Sequence, residues 1–272
     1  MISTNEPIPY TCVACGERMR YTRLGAGDAW TRQRCSCEQR RDAAKEAEYD
    51  SVCASRRETL IAAARRMLAL PPRFANMRFD DLTVDTHSSR PLSIVKRWAA
   101  GAIGATRGLY VFGETGRGKT CPVCCALNEI VDSGQTIIEQ GWPTHWRIVP
   151  AGFVNVPDWI EKCRRYDDPA ARREVEIAYH YRLVVIDDIG VENPTEYVRE
   201  RLYTLVNARS IRLLPTVFTS NCRLSELGAR LTTRIASRIA EMTDQVEVTG
   251  PDRRLEVSGP SGRRLDDGQG VP

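Results

Sequence analysis

The sequence predicts an α/β protein in which a parallel sheet is sandwiched by helices. Short apolar segments alternate with helical patterns between residues 93 and 258, at positions 109–112, 153–156, 183–186 and 216–219. A strand that is apolar throughout must be buried on both faces, as happens when helices connect parallel strands. A glycine-rich loop directly after the first segment supports this prediction. Two pairs of cysteines near the N-terminus indicate a separate small module.

The composition limits the class of protein. The chain has 272 residues, of which 42% are hydrophobic and 27% are charged, and its net charge is +4. These values are ordinary for a globular protein, and the mild positive charge permits contact with nucleic acid without arguing for it. No apolar run approaches the roughly 20 residues that span a bilayer, and the first residues lack the pattern of a secretory signal. We therefore expect a cytoplasmic protein without a membrane partner, whose ten cysteines are thiols or metal ligands rather than disulfides.

The N-terminal cysteines predict a zinc-binding module over residues 1–40. Cys12 and Cys15 form one close pair, and Cys35 and Cys37 form another. Four thiolates at this spacing suit a tetrahedral Zn²⁺, and the segment is too short and polar to bury a core by itself. A redox-active thiol pair is the alternative, although no βαβ pattern surrounds these cysteines.

A helical segment and a linker are predicted over residues 41–92. Residues 38–70 are rich in Ala, Glu and Arg and contain neither Gly nor Pro, and Pro71 ends the helical pattern. We assign residues 93–258 to the main α/β domain. Residues 259–272 are rich in Gly, Ser and charge, so we expect a disordered tail there.

Residues 113–120 fit the phosphate-binding pattern G-x-x-x-x-G-K-[ST]. Glycines allow the backbone to curl so that its N–H groups point at phosphate oxygens, and the following helix presents its positive end to the same anion. Lys119 can reach the β- and γ-phosphates, and the Thr120 hydroxyl can hold Mg²⁺. A glycine-rich surface turn is the alternative, but the apolar segment before the loop and the helical pattern after it favour a site for ATP. The predicted site comprises Gly113, Glu114, Thr115, Gly116, Arg117, Gly118, Lys119 and Thr120.

An acidic pair follows the apolar segment 183–186 and supplies the carboxylates that a phosphate site needs. Ligands bind at the C-terminal edge of parallel sheets, so Asp187 would hold Mg²⁺ and Asp188 would activate the attacking water. The two acids could instead cap a helix or lie in a solvated turn. Asn221, after the next apolar segment, could contact the water or the γ-phosphate, or could be a turn residue. Spacing alone does not show which of the following arginines reaches a nucleotide: Arg234, Arg238, Arg253 and Arg254.

Taken in order, these motifs resemble the bacterial replicative helicase loaders, which are DnaC/DnaI-like AAA+ ATPases, and the related IstB-like transposition helpers. The resemblance covers about residues 10–258, and the main α/β domain is identified with the AAA+ ATPase domain. The P-loop is generic, whereas the order of the other segments is much more specific. Those segments are the two cysteine pairs and residues 70–74, 79–82, 108–113, 153–159, 185–190, 215–221, 234–239 and 250–254.

The resemblance implies roles that the residues alone do not show. Asn221 matches sensor 1 and Arg254 matches sensor 2. Arg238 matches an arginine finger that reaches the ATP of a neighbouring subunit, so hydrolysis would depend on self-association. The helix at about 157–166 would face single-stranded DNA, and the zinc module would grip the replicative hexameric helicase, a DnaB-like protein.

The function that the resemblance implies is ATP-dependent loading of the replicative helicase onto single-stranded DNA, with Mg²⁺ and Zn²⁺ as further cofactors. Hydrolysis of ATP would be slow and stimulated by assembly or DNA. An IstB-like transposition helper is one alternative, and the cysteine module favours the loader. A nucleotide-gated adaptor with little turnover is another. It stays open because Glu114 and Arg117 stand where the family usually has Pro and a small residue, and Arg117 could alter nucleotide affinity or turnover.

Overall fold

The computed structural model describes residues 9–23, 30–102, 104–133, 135–139, 142–147, 149–190 and 194–256. The chain divides into two compact units, residues 1–59 and residues 60–272, which we call the first and the second unit. The predicted disordered tail lies outside the described residues.

The first unit contains two small antiparallel sheets and most of one helix. Met19 and Cys35 are the buried residues among those described there, so the described residues of this unit form almost no apolar core. The strands pair as β1 with β2 and β3 with β4. Their bounds are β1 Tyr10–Thr11, β2 Arg18–Met19, β3 Tyr21–Arg23 and β4 Trp30–Arg32.

Helix α1, Ser36–Leu68, begins in the first unit and continues into the second. Its Ala-, Glu- and Arg-rich sequence has high helix propensity. Arg65 and Arg66 lie in the last turn, where positive charge is attracted by the negative end of the helix dipole. Ala69 has a left-handed backbone (φ 54°) and is followed by prolines that cannot continue the helix. The prediction of a helix over 38–70 is therefore confirmed to within two residues at each end.

The segment after α1 packs within the second unit through two aromatic residues. Phe74 and Phe79 are buried and lie in short 3-10 helices, Pro72–Phe74 and Phe79–Asp81. The side-chain nitrogen of Asn128 donates hydrogen bonds to the carbonyl oxygens of Phe74 (2.9 Å) and Met77 (3.0 Å). These bonds fasten the linker to the helix that follows the P-loop.

The second unit is built on a parallel sheet of five strands in the order β11-β5-β10-β9-β8. Four strands coincide with the predicted apolar segments, which confirms the parallel α/β architecture. The fifth, β11, was not predicted because its sequence is mostly polar; only its Thr243 and Val246 are buried. The strands are β5 Gly108–Phe112, β8 Ala151–Asn155, β9 Leu183–Asp187, β10 Thr216–Ser220 and β11 Thr243–Glu247.

Helices cover both faces of this sheet, as the sequence predicts. Alternate residues of β5 point to opposite faces, so Leu109 and Val111 belong to one apolar cluster while Tyr110 and Phe112 belong to another. Helices α1, α2 and α3 contribute to the first cluster, and α4 to α8 contribute to the second. The helices are α2 Ser89–Gly101, α3 Thr120–Ser133, α4 Val156–Arg164, α5 Pro169–His180, α6 Glu196–Ile211, α7 Leu224–Arg230, α8 Thr233–Met242 and α9 Arg253–Glu256.

A β-hairpin occupies the connection between α3 and β8. Its strands, β6 Gln135–Glu139 and β7 Trp142–Arg147, pair antiparallel. Among the described residues, no helix is both long and apolar enough to cross a bilayer.

Candidate nucleotide site and cysteine cluster

The P-loop leaves the C-terminal end of β5 and begins α3, as the motif requires. Gly116 and Gly118 have left-handed backbones (φ 80° and 85°), and this curls the loop. A Cβ atom at Gly113 would lie 2.1 Å from the carbonyl oxygen of Val248, so a larger residue cannot be accommodated there without backbone movement. The glycines of the motif are thus required by this local geometry.

Lys119 lies inside the loop and is only 8% exposed. Its Nζ donates to the carbonyl oxygens of Gly113 and Glu114 (2.8 Å each) and to Oδ1 of Asn221 (2.6 Å). Burial lowers the pKa of Lys119, an effect that the negative charges of Asp188 and Asp187 oppose. An ammonium held by loop carbonyls beside backbone N–H groups is a donor set that fits a polyphosphate.

Asp187 joins the P-loop to the neighbouring strands. Its Oδ1 accepts hydrogen bonds from the hydroxyls of Thr120 (2.9 Å) and Thr219 (2.6 Å). Burial raises the pKa of Asp187, and the two hydroxyl donors act in the opposite direction. Hydroxyl and carboxylate oxygens are the ligands that Mg²⁺ prefers, so Thr120 and Asp187 fit a magnesium site.

Asp188 is exposed and has a left-handed backbone (φ 64°), which an Asp tolerates better than most residues. Its N–H donates to Oγ1 of Thr219 (3.0 Å), and its Oδ1 accepts from Nδ2 of Asn221 (3.1 Å). Asn221 therefore links Asp188 to Lys119. The sequence analysis assigned Thr219 no role in the site. The available signal was that Thr219 lies near the end of β10, the strand beside β9, which ends at Asp187.

The segment after β11 lies against the P-loop. The N–H of Arg253 donates to the carbonyl oxygen of Gly116 (3.0 Å), and the Asp252 carboxylate occupies the space that a Cβ at Gly116 would need. The Arg253 guanidinium binds the Asp85 carboxylate (2.6 Å) and therefore ties the linker to this segment. Arg254 lines a cleft that Lys119 and Thr120 also line. The structure thus places Arg253 and Arg254, of the four arginines in question, beside the loop.

Arg238 lies elsewhere, on the outer side of α8. It forms an ion pair with Glu241 (3.0 Å) and lines an open groove with Arg234 and Tyr203. Within the part of the chain that the structure describes, Arg238 does not line the clefts around the P-loop. The other predicted site residues of the second unit meet at one edge of the sheet, whereas Arg238 does not join them within one chain.

The four predicted zinc ligands of the first unit lie together. The sulfur atoms of Cys12, Cys15, Cys35 and Cys37 are all within 4.8 Å of one another, and Cys35 lies 3.4 Å from Cys12 and 3.0 Å from Cys37. Tetrahedral Zn²⁺ with bonds of 2.3 Å needs sulfur separations of about 3.8 Å, so small shifts would satisfy it. The N–H of Glu38 points at the sulfur of Cys35 (3.4 Å), as is common around metal-bound thiolates. The cluster fits Zn²⁺.

No protein-family model matches this chain. It is 24% identical over 165 residues to the replicative helicase loader DnaI of Bacillus subtilis (strain 168); the match spans 56% of this chain and about half, 49%, of DnaI. A crystal structure of DnaI superposes on 70% of this chain and 99% of its own length, with a TM-score of 0.56 and 21% identity. A crystal structure of the DnaC helicase loader covers 66% of this chain and 100% of its own length, with a TM-score of 0.54 and 19% identity.

The chain shares the AAA+ fold of DnaI and DnaC. The predicted resemblance to the DnaC/DnaI-like proteins is confirmed.

Proposed function

We propose that this protein is an ATP-dependent loader of a ring-shaped replicative helicase onto single-stranded DNA, acting in the cytoplasm. The observation that carries the proposal is the chain of contacts from Lys119 through Asn221 to Asp188, set beside Thr120 and Asp187 on the fold of DnaI and DnaC. The sequence match to DnaI covers about half of that protein, so the partner and the substrate are part of the proposal.

ATP binding would use the backbone N–H groups of residues 113–120 together with Lys119. Lys119 would exchange the loop carbonyls that it holds for phosphate oxygens, which are stronger acceptors. Thr120 and Asp187 would hold Mg²⁺, which would neutralise charge on the phosphates. These groups lie together without a further domain because they follow the C-terminal ends of parallel strands.

Hydrolysis would use Asp188 to activate a water molecule and Asn221 to orient it. The contact between Asn221 and Lys119 connects the acid to the residue that would bind phosphate. Arg254, beside the loop, would sense the nucleotide from the same subunit. Arg238, which faces outward on α8, would complete the site of a neighbouring copy, so turnover would rise with self-association.

Single-stranded DNA would contact α4 and the residue that follows it, which together carry three exposed or half-exposed cations. Lys162 pairs with Glu174, Arg164 pairs with Glu161, and Arg165 pairs with Asp168. DNA phosphates would have to displace these carboxylates. We therefore expect weak DNA binding that depends steeply on salt.

We further propose that the first unit recognises the helicase and that Zn²⁺ stabilises it. In this division, residues 1–40 form the zinc module, residues 41–92 form the helical segment and linker, and residues 93–258 form the ATPase domain. The cysteine cluster fits Zn²⁺ in the described residues, which supports the first of these assignments.

A pull-down with purified partners tests the proposed function. We expect the full chain to retain a hexameric replicative helicase and not a transposase, and Cys35→Ser to lose this retention. Retention of the transposase alone would support the IstB-like alternative instead. Cys53→Ser, on the exposed part of α1, is the matched control because it removes a thiol outside the cluster.

The ATPase rate tests whether the protein turns over. We expect Asp188→Asn to lower kcat by about a hundredfold while ATP still binds, because removing a general base typically costs 10²–10⁴-fold. Glu129→Gln, an exposed acid on α3, is the control. If the native protein binds ATP but shows no turnover with assembly or single-stranded DNA, it is a nucleotide-gated adaptor.

A further inference from the structure

Arg117 is an unusual P-loop residue because of its size and charge. It lies between Gly116 and Gly118, whose left-handed backbones form the curl of the loop. Its side chain is 25% exposed. On one side it lines an apolar cavity with Pro122 and Val248, and on the other it lines a polar cleft with Gly113 and Asn221.

The guanidinium of Arg117 acts on the phosphate site electrostatically. Burial is the main cause that lowers the pKa of Lys119, and the positive charges of Arg254 and Arg117 add to this effect. Lys119, Arg117 and Arg254 therefore share one field of positive potential around the loop. An anion is the natural occupant of such a field.

The partner that holds Arg117 is Glu114, three residues before it in the same loop. The Glu114 side chain is 77% exposed, and exposed ion pairs contribute little because water competes for both groups. Arg253 is held differently: it binds the Thr83 carbonyl and the Asp85 carboxylate, and Asp85 also accepts hydrogen bonds from backbone N–H groups. Of these two arginines, Arg117 is the one that a phosphate can recruit more easily.

We propose that Arg117 is a phosphate ligand that exchanges Glu114 for the polyphosphate of the bound nucleotide, with Glu114 as its built-in competitor. A guanidinium can bind two phosphate oxygens at once, so the exchange replaces one weak exposed pair by a stronger, more sheltered one. The inference rests on the proposed ATP site. It goes beyond that proposal by giving the two residues opposite effects on affinity: Arg117 strengthens nucleotide binding, and Glu114 weakens it.

The opposite effects allow a direct test by calorimetric titration of the full chain with the non-hydrolysable analogue AMPPCP and Mg²⁺. We expect Arg117→Ala to raise the Kd about tenfold, Arg117→Lys to raise it less, and Glu114→Gln to lower it about threefold. In the double variant, Glu114→Gln should give no gain, because Glu114 acts through Arg117. Arg97→Ala, which removes an exposed arginine on α2, should change the Kd by less than about twofold.

Three results would overturn the inference. If Arg117→Ala and Glu114→Gln both weaken binding, the ion pair only supports the shape of the loop. If Glu114→Gln tightens binding equally without Arg117, Glu114 repels phosphate directly. If the wild type binds and Arg117→Ala leaves the Kd unchanged, Arg117 is no ligand, yet the proposed ATP site stands. A wild type that binds no nucleotide would contradict the proposed function itself. Melting temperatures without nucleotide confirm that each variant folds.

Discussion

The two units of this chain are stabilised in different ways. In the first unit, Met19 and Cys35 are the buried residues among those described, and four thiols lie within 4.8 Å of one another. In the described part of the second unit, two clusters of 24 buried residues each cover the two faces of a five-stranded sheet. We therefore expect the first unit to depend on a metal ion held by its cysteine cluster, whereas the second unit depends on apolar burial.

This difference teaches where each unit is sensitive. A unit with few buried apolar residues has little apolar burial to keep it folded when its cysteine cluster is lost. A unit with two apolar cores tolerates most surface changes and is vulnerable at its buried side chains, including the buried polar groups that the cores enclose.

The largest effect is expected from Cys35→Ser. Because structural zinc contributes apparent free energies of about 10–16 kcal/mol in small metal-dependent modules, we expect the first unit to unfold and the second to keep its melting temperature. Metal content by mass spectrometry and limited proteolysis measure the two outcomes. Cys53→Ser in the same unit should leave both unchanged. A first unit that stays protected in Cys35→Ser would break the comparison.

The second unit should be most sensitive at Arg209, which is fully buried. Its guanidinium donates to Oγ1 of Thr216 (2.7 Å) and to the carbonyl oxygens of Ala178, Tyr181 and Pro215. Burial lowers the pKa of Arg209, and the carbonyls at the end of α5 compensate its charge.

Arg209→Met should therefore lower the free energy of unfolding by about 3 kcal/mol, because it leaves buried carbonyls without donors. Urea denaturation measures the loss. Arg212→Ala, at the exposed end of α6, should cost less than about 0.5 kcal/mol. Equal losses in the two variants would show that the buried hydrogen bonds are not the cause.

Nucleotide should stabilise one unit only. At an ATP concentration of about 100 times Kd, binding adds about 2.7 kcal/mol to the stability of the state that binds it. We expect the melting temperature of the second unit to rise and that of the first to stay constant. Lys119→Ala should abolish the rise, since it removes the ammonium at the centre of the site. A parallel rise in both units would contradict the assignment of the nucleotide site to the second unit alone.

The smallest effect is expected at two carboxylates that differ in exposure and in the arginines they bind. Asp132 binds Arg65 through both carboxylate oxygens (2.9 and 2.8 Å), also pairs with Arg78 and is 22% exposed, whereas Asp42, paired with Arg34, is 45% exposed. Asp132→Asn should cost the second unit about 1 kcal/mol, and Asp42→Asn should cost the first unit almost nothing. Chemical denaturation of both variants measures the two losses in free energy of unfolding. If Asp42→Asn lowers the free energy of unfolding more than Asp132→Asn does, the exposure of the carboxylate does not determine how much its ion pair stabilises the fold.

The ion pairs of Asp132 make the stability of the second unit depend on pH. Burial raises the pKa of Asp132, but hydrogen bonds from Arg65 and Arg78 outweigh it and leave the pKa below its usual value. A carboxyl with a lowered pKa stabilises the fold above its unfolded pKa of about 3.9. This contribution should disappear as the pH falls below about 4, and Asp132→Asn should show no such loss.

The sequence by itself determined the elements whose signal is local. Four apolar runs became strands β5, β8, β9 and β10 because burial on both faces leaves no position for polar side chains. The curl of the P-loop followed from its glycines, and the cysteine cluster followed from its spacing. Helix α1 followed from its composition.

Only the tertiary structure decided what depends on distant parts of the chain. Strand β11 is mostly polar, and its place is set by hydrogen bonds to β5 rather than by a pattern of its own. The link from Thr219 to Asp187, and that from Arg253 to Asp85, join residues 32 and 168 positions apart. No local periodicity encodes such pairs. They arise because parallel strands end at one edge of the sheet, where loops distant in sequence become neighbours.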